Sequence, residues 1–484
     1  MSGQHASRGS WRVVAAAAAV AAGALLAAPL TAGATTSWAL VTSPDPGAYV
    51  NALSAVACPS ATECWAVGHT AGTGEDDQTL IEEWNGTAWS AVTSGNVNAS
   101  GGVLQDNYLS AVSCGSTGDC WAVGGYRPDE DFLPLGEHWN GTAWTASTLA
   151  MFADTPGSYE LNGIACSDAA DCWAVGTFVP DSTGDNETLM EQWTGGSWTI
   201  LDSGGPGVYS GISCVNASDC YAVGRTEGVS PSEMLVAQWN GTTWQGVSTT
   251  NQGSGDNALT GISCASASYC WAVGYYSPTA GGGGINQALF LNYDGTSWTS
   301  SAPGGADDDS PSSNNNLLLG VSCASDTSCW AVGYYVADEL EVTLVDGWNG
   351  SAWSLVADAP NADLTDSNEL DGVACADTDD CAAVGNYGFY SADPTLILMY
   401  VIAAAPTPTP TATPTPTATA SPTSSVAPTA TATAAPVPAS GGGMPAAGSG
   451  PVRAIGVAIL GAGLLVLLTT TGAELVGQRR QRDR

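Results

Sequence analysis

Fourteen cysteines fall into seven pairs, and every pair has the same spacing, Cys-x5-Cys. They are Cys58/Cys64, Cys114/Cys120, Cys166/Cys172, Cys214/Cys220, Cys264/Cys270, Cys323/Cys329 and Cys375/Cys381. One spacing kept this strictly means that one unit of about 50 residues recurs along the chain. Such a unit cannot bury its apolar face alone and must stack on its copies, so 484 residues need not divide into domains of about 150.

The first unit shows all the parts. It runs Leu53-Ser-Ala-Val56-Ala-Cys58, Cys64-Trp65-Ala-Val67-Gly68, Leu80-Ile-Glu-Glu-Trp84, Asn85-Gly86 and Trp89-Ser-Ala-Val92. Each piece is a short run rich in Val, Ile and Trp and bounded by turn residues, which reads as a strand. The Asn-Gly between two tryptophans reads as a hairpin with the positive φ angles of a type I′ turn. It recurs at Asn140-Gly141, Asn240-Gly241 and Asn349-Gly350, with Gly195-Gly196 and Asp294-Gly295 as variants. Each unit is therefore a four-stranded antiparallel meander, with strands A to D. Seven such units predict an all-β chain folded as a seven-bladed β-propeller.

The seventh unit is split. Leu370–Cys375, Cys381–Gly385 and Leu396–Val401 supply strands A, B and C, and no strand D follows. An orphan Ser37-Trp38-Ala39-Leu40-Val41-Thr42 before the first unit matches Ala88-Trp89-Ser90-Ala91-Val92-Thr93, a strand D. The N-terminal strand is expected to complete the last blade and close the ring. Closure removes exposed sheet ends, which a linear solenoid would keep.

Aromatics stand at fixed places. Strand C ends in Trp84, Trp139, Trp193, Trp239, Tyr293, Trp348 and Tyr400; strand D begins with Trp89, Trp144, Trp198, Trp244, Trp298, Trp353 and, through closure, Trp38. Strand B carries Trp65, Trp121, Trp173, Tyr221, Trp271 and Trp330, with Ala382 in the split blade. Rings repeated in every unit are read as packing between blades rather than as ligand platforms.

The cysteine spacing predicts seven disulfides, each across one A–B hairpin. Zinc sites use Cys-x2-Cys with a second pair nearby, and neither is present. Seven-residue closures contribute roughly 2 kcal/mol each in the chain-entropy model.

The ends predict a single-pass membrane protein with its N-terminal domain outside the cell. Residues 1–34 read as a signal peptide: two arginines, an Ala/Val/Leu run and Ala32-Gly33-Ala34. The propeller is placed at 35–402. Residues 403–453 form a Pro/Thr/Ala-rich stalk that favours extended polyproline geometry and reaches on the order of 140 Å at ~3.1 Å per residue. Residues 454–473 are uncharged and long enough to cross a hydrocarbon core as one transmembrane helix. The tail, 474–484, ends in four arginines, which favour the cytoplasmic side.

Acids outnumber bases 46 to 9. Every base is an arginine, and only Arg127 and Arg225 fall within the repeats. So acidic a body repels phosphate backbones, which excludes nucleic acid as a partner class.

A meander sends its A–B and C–D turns to one end and its B–C and D–A connections to the other. The first set is short and uniform. The second varies in length, and varied loops on a rigid scaffold are where binding resides. Acidic clusters fall in these loops, with Asp76 and Asp77, Asp129 and Asp131, and Asp307, Asp308 and Asp309 as calcium candidates. None completes an Asp-x-Asp-x-Asp-Gly loop, and solvated surface is the alternative reading. No other cofactor is implied. His69 and His138 are the histidines of the repeats, and neither stands in a catalytic motif. Paired cysteines leave no thiol nucleophile, and two arginines cannot build a three-arginine carboxylate clamp.

The repeat of Cys-Trp-Ala-Val-Gly followed by Trp-Asn-Gly-x-x-Trp resembles the repeat propellers of secreted bacterial proteins, in the broad galactose-oxidase and kelch-like class. The resemblance covers roughly 37–401 and implies architecture. Galactose oxidase holds copper with histidines and tyrosines, one of them cysteine-modified. This chain has no histidine pair and no spare cysteine, so that activity does not carry over. The double glycine of kelch repeats is also missing.

These features predict a monomeric, non-catalytic surface binding or adhesion module whose partner is an extracellular glycan, peptide or protein. An extracellular carbohydrate-active enzyme, glycosidase or lyase, and a structural cell-surface component are the alternatives.

Overall fold

A computed structural model describes residues 36–402 apart from 73–75, 98–105, 129, 153–154, 203–204, 281–284, 302–314, 358 and 389–392. The expected signal peptide, stalk, membrane span and tail lie outside the described residues. No helix among the described residues is long and apolar enough to cross a membrane.

The described strands form seven separate four-stranded sheets. Blade 1 consists of β2 (Val50–Ser60), β3 (Glu63–Ala71), β4 (Gln78–Trp84) and β5 (Trp89–Val92), paired antiparallel in that order. Blades 2 to 6 repeat the order over 106–148, 157–202, 207–246, 257–301 and 316–355. Blade 7 is composite: β26 (Asn368–Cys375), β27 (Cys381–Tyr387) and β28 (Thr395–Ile402) are completed by β1 (Thr36–Leu40). Trp38 lies opposite Tyr400 and Leu40 opposite Leu398. The tie extends past the strand, with Val41 N–H donating to the Ile397 carbonyl at 3.0 Å and Thr395 N–H to Asp45 Oδ1 at 2.8 Å.

The Ala-Val-Gly of every strand B answers a bulge in strand A. The register slips in all seven blades, between Leu53 and Ala55 in the first and Leu370 and Gly372 in the last. Opposite each slip stands the glycine, because a Cβ on Gly68 would lie 1.9 Å from the Ala52 carbonyl oxygen. The residue past each bulge is small: Ala55, Ala111, Gly163, Gly211, Gly261, Gly320 and Gly372. There neighbouring A strands meet backbone to backbone. A Cβ on Gly372 would sit 3.0 Å from the Ala55 Cα, across the junction of blades 7 and 1. Serines reinforce four of the junctions: Ser113, Ser213, Ser263 and Ser322 accept the N–H of the next blade's first cysteine at 3.0–3.1 Å.

Tryptophans seal the blades farther out. Each strand-D indole nitrogen, from Trp38 to Trp353, is buried without an ordinary hydrogen-bond acceptor. Six of these rings stand edge-on to the strand-B aromatic of the preceding blade. Trp144 meets Trp65 at 80°, Trp198 meets Trp121 at 88° and Trp38 meets Trp330 at 87°. An edge-on contact lets the positive rim, N–H included, meet the negative π face.

All seven expected disulfides form, each within its own A–B hairpin: Cys58–Cys64, Cys114–Cys120, Cys166–Cys172, Cys214–Cys220, Cys264–Cys270, Cys323–Cys329 and Cys375–Cys381. Their Cα–Cα distances are 3.9–4.0 Å. The two cysteines of a pair are not equivalent. The first is half-buried in strand A. The second, on strand B, is buried: Cys64, Cys120, Cys172, Cys220, Cys270, Cys329 and Cys381. Each of these seven belongs to a different apolar cluster, Cys172 with Trp198, Cys220 with Tyr209, Cys270 with Trp298 and Cys329 with Trp353. The reason lies in the sheet. Strand B runs between strands A and C, and its cysteine side chain points into the layer between blades. The sulfur there is packing as well as cross-link.

The Asn-Gly turns differ from the type I′ expectation. Gly86 has φ of 84°, but Asn85 is not in the left-handed region. Asn85 serves through its side chain instead, where Oδ1 accepts the N–H of Thr87 at 3.0 Å and of Ala88 at 3.1 Å. The loop holds four residues, 85–88, between the paired Trp84 and Trp89, so the two-residue type I′ geometry does not apply, and the Asn85 side chain forms an Asx-turn inside the longer loop.

Candidate binding face

The A–B and C–D end of the ring is closed chemically. Disulfides hold the A–B turns, and strand-C tryptophans reach over them: Trp193, Trp239 and Trp348 donate their indole N–H to Ala169, Ala217 and Asp326 carbonyls at 3.1–3.2 Å.

The opposite end carries long connections on a fixed base. Strand A opens with a buried asparagine in most blades. Asn51, Asn107, Asn257 and Asn368 accept N–H groups from their own D–A connections at 2.7–3.0 Å. A second amide or carboxylate in the connection caps strand C: Asn96, Asn251, Asn361 and Asp45 accept from Thr79, Met234, Thr343 and Thr395 N–H at 2.8–3.1 Å. In blade 3 Tyr159 takes the asparagine's part, its hydroxyl accepting from Phe152 N–H at 3.1 Å and donating to the Thr155 carbonyl at 3.2 Å. These D–A connections are therefore held by buried clasps at their described ends.

Strand B brings aromatic rings to the same rim. Two residues past the strand-B glycine stand Tyr126, Phe178, Tyr276, Tyr335 and Tyr387 in blades 2, 3, 5, 6 and 7. The four tyrosines are half-buried, each packed on a blade core. Burial, then the negative fields of Asp45 and Asp363, push the Tyr387 phenol upward, which keeps it a hydrogen-bond donor. Tyr275 adds a neighbouring half-buried ring. On blade 2, Arg127 is bonded to Asp106 and lies 5.1 Å over the Phe132 ring, which meets Tyr108 at 5.5 Å. Burial and then the field of Glu160 raise the Tyr108 phenol. The B–C link of blade 6 is a two-residue turn at Asp338-Glu339, both with positive φ, 51° and 73°. This acidic pair, not an Asn-Gly, makes a turn with the left-handed geometry of type I′. Met151, Val229 and Leu364 are exposed apolar side chains in loops of this end.

The residues singled out by sequence do not converge. His138 stacks on Trp121 at 4.4 Å and its Nε2 lies 3.1 Å from Asp119 Oδ2, on the disulfide end. Those contacts make it a packing residue. His69 is half-buried in strand B, in register with Ala52 and Thr79. Asp76 and Asp77 belong to blade 1, where the Asp77 carbonyl accepts Asn107 N–H at 2.9 Å. Asp131 belongs to blade 2, and Asp129, Asp307, Asp308 and Asp309 lie outside the described residues. The buried cysteines, Cys172, Cys220, Cys270 and Cys329 among them, sit in the blade cores and do not line the loop end. Among the described residues no three His, Cys, Asp or Glu side chains meet where a metal ion could sit.

Sequence reasoning missed a set of carboxyls. Glu82, Glu137 and Glu191 are fully buried, one per blade in blades 1 to 3, two residues before the strand-C tryptophan. Asp346, also buried, stands at the same position in blade 6. Each of the three glutamates reaches back to the preceding blade. Glu82 Oε2 accepts from Ser43 Oγ at 2.8 Å, and Glu191 Oε2 from Ala150 N–H at 3.0 Å. Glu137 accepts from Ser94 Oγ at 2.9 Å and Gly95 N–H at 2.7 Å. The signal was present: an acid on the same side of strand C as the buried Leu80, Leu135 or Leu189.

No family model and no curated protein matches this sequence. Among solved structures, the chain is similar to YCF48 bound to D1 peptide at 14% identity and a TM-score of 0.46, covering 78% of this chain and 99% of that one. It is similar to the GH74 xyloglucanase from Xanthomonas campestris at 14% identity and a TM-score of 0.46, covering 73% of this chain and 53% of that one. It is similar to the six-bladed fucose-recognising Aleuria aurantia lectin at 12% identity and a TM-score of 0.38, covering 61% and 96%. The seven-bladed architecture stands on the strand pairing given above.

Proposed function

We propose that this chain is a membrane-anchored extracellular propeller that binds its partner without catalysis, through the B–C and D–A end of the ring. The observation that carries the reading is the set of half-buried strand-B tyrosines at that end, Tyr126, Tyr276, Tyr335 and Tyr387, placed at one register position in four blades; Phe178, at the same position in blade 3, is buried in the core. Half-buried tyrosines offer a flat apolar body and a phenol at the rim, the combination that stacks on sugar faces or peptide side chains. The arginines of this face are already paired, Arg127 with Asp106 and Arg225 with Glu227 at 2.9 Å. The face is thus acidic, and a neutral glycan or a basic peptide suits it better than an anionic ligand.

A glycan and peptide array, run with and without calcium, tests the reading. Tyr276→Ala with Tyr335→Ala should weaken retained binding about tenfold or more. Thr296→Ala, in a turn on the disulfide end, should leave it unchanged. Hydrolysis of a polysaccharide without retained binding would overturn the reading in favour of an enzyme.

A further inference from the structure

Glu82, Glu137 and Glu191 occupy one position, yet they are not equivalent. Both Glu137 oxygens are hydrogen-bonded, by Ser94 Oγ and Gly95 N–H. Glu82 and Glu191 each bond through Oε2 and leave Oε1 buried without a protein partner. A buried carboxylate with an unsatisfied oxygen is costly to charge, whereas its neutral form is tolerated. The corresponding positions in blades 4, 5 and 7 are Ala237, Leu291 and Leu398, which cannot titrate.

What the two carboxyls hold matters. Ser43 Oγ joins Glu82 to Thr395, whose Oγ1 lies 2.6 Å away, so Glu82 backs the segment that closes the ring. Ala150 N–H begins the connection that exposes Met151 on the loop end. We propose that Glu82 and Glu191 are a pH-sensitive latch, holding these two connections closed in acid and releasing them as the solution turns alkaline. The inference is independent of any ligand.

The groups facing each carboxyl agree with this. Across the sheet Glu82 is flanked by Ala66 and Ala91, and Glu191 by Ala174 and Ile200. Asp45 adds a like charge toward Glu82, and the Tyr159 phenol faces Glu191; the Ser43 hydroxyl and the Ala150 N–H favour the charged carboxylates, but burial outweighs them. Arg127, Arg225 and His138 are engaged with Asp106, Glu227 and Asp119. Burial raises Glu82 and Glu191 from 4.5 to about 8. An acid raised on folding contributes stability that is complete below its unfolded value. That contribution is lost as pH rises toward the folded one. Release therefore develops between about pH 4.5 and 8 and then levels.

Hydrogen exchange at pH 5.5 and 8.5, corrected for intrinsic rates, reads the latch directly. Ala150 N–H should lose about two-hundredfold in protection, following roughly tenfold per pH unit up to the folded value and little beyond it. Gly95 N–H, on the satisfied Glu137, should lose less. Val247 N–H, which donates to the Val236 carbonyl at 2.8 Å in blade 4, should not change. Glu191→Gln should remove the pH dependence at Ala150, and Glu82→Gln should remove it at Val41. Equal pH dependence at Ala150 and Val247, or its persistence in Glu191→Gln, would overturn the proposal. If a variant does not fold, the three wild-type amides decide alone.

Discussion

At the junction of blades 2 and 3, Trp198 stands edge-on to Trp121 at 5.2 Å, and His138 stacks on that ring at 4.4 Å. At the junction of blades 7 and 1, Trp89 has no such ring to meet. The strand-B position is Ala382, and its cross-strand partner is Met399 rather than a histidine, glutamine or glycine. Trp89, Ala382 and Met399 share one core cluster. Bulk shifts from strand B to strand C, where Met399 fills part of the space that a strand-B ring takes elsewhere, and the aromatic face is lost. The polar ties differ as well: Ser43 and Asp45 bond Thr395 at the ring-closing connection, whereas at the 2|3 junction Cys166 N–H donates to Ser113 and Ala150 N–H to Glu191. The two junctions show that blade closure needs a filled layer, and that the chemistry filling it can change.

The largest effect should come from removing the closing strand. Deleting 37–42 takes Trp38 from its contacts with Trp330 at 5.3 Å and Tyr400 at 5.5 Å. It also strips β28 of its partner and exposes a sheet edge. The melting temperature should fall sharply, and light scattering should report association. Deleting the same length from the Pro/Thr/Ala-rich segment 403–453 should do neither. An unchanged melting curve for the first deletion would mean that the ring is held without β1.

Next in size are single truncations on the two sides of the comparison. Trp121→Ala empties a site touched by Trp193, Trp198 and His138, and should cost about 3–5 kcal/mol. Met399→Ala should cost about 2–5 kcal/mol if Met399 fills the place of the missing tryptophan. Chemical denaturation of both variants measures this. A cost near zero for Met399→Ala would show that the seam is sealed by its hydrogen bonds instead.

The repeat made the architecture legible. Fixed Cys, Trp and Gly spacing exposes the strand order, and the orphan Trp38 segment exposes the closure, because each repeat must present the same groups to the next. Disulfide pairing was legible for the same reason. The burial of one partner in each pair, as at Cys172 or Cys270, was not, since spacing does not tell which cysteine faces the neighbouring blade. The turn chemistry was hidden too: Asn-Gly suits a type I′ turn, yet the Asn85 side chain does the capping and the left-handed pair appears at Asp338-Glu339. The buried carboxyls were legible only through the strand period: Glu82 beside Glu83 reads as two solvated acids unless the alternation from Leu80 is followed to the inner face. The binding face was legible only as variable loop length. Its aromatic ring became visible once the strand-B register aligned Tyr126, Tyr276, Tyr335 and Tyr387.

The smallest expected effect concerns the disulfides, and it asks whether the seam is weak in itself or only differently filled. In the chain-entropy model the contribution depends on the length of the closed loop, and every loop here has the same sequence separation of 6. Cys375→Ala with Cys381→Ala, in the composite blade, should therefore cost about 2 kcal/mol, as should Cys114→Ala with Cys120→Ala in blade 2. The two loops sit in matching hairpins with Cα–Cα distances of 4.0 and 3.9 Å. Cys381 and Cys120 are also equally buried, so native-state packing should not separate the two variants. Denaturation of both double variants under the same conditions makes the comparison. Equal losses would show that the composite blade behaves as a local unit once β1 is in place. A clearly larger loss in blade 7 would mean that its A–B hairpin depends on the disulfide to present β28 to β1. Blade closure and hairpin stability would then be coupled at the seam and nowhere else along the comparison.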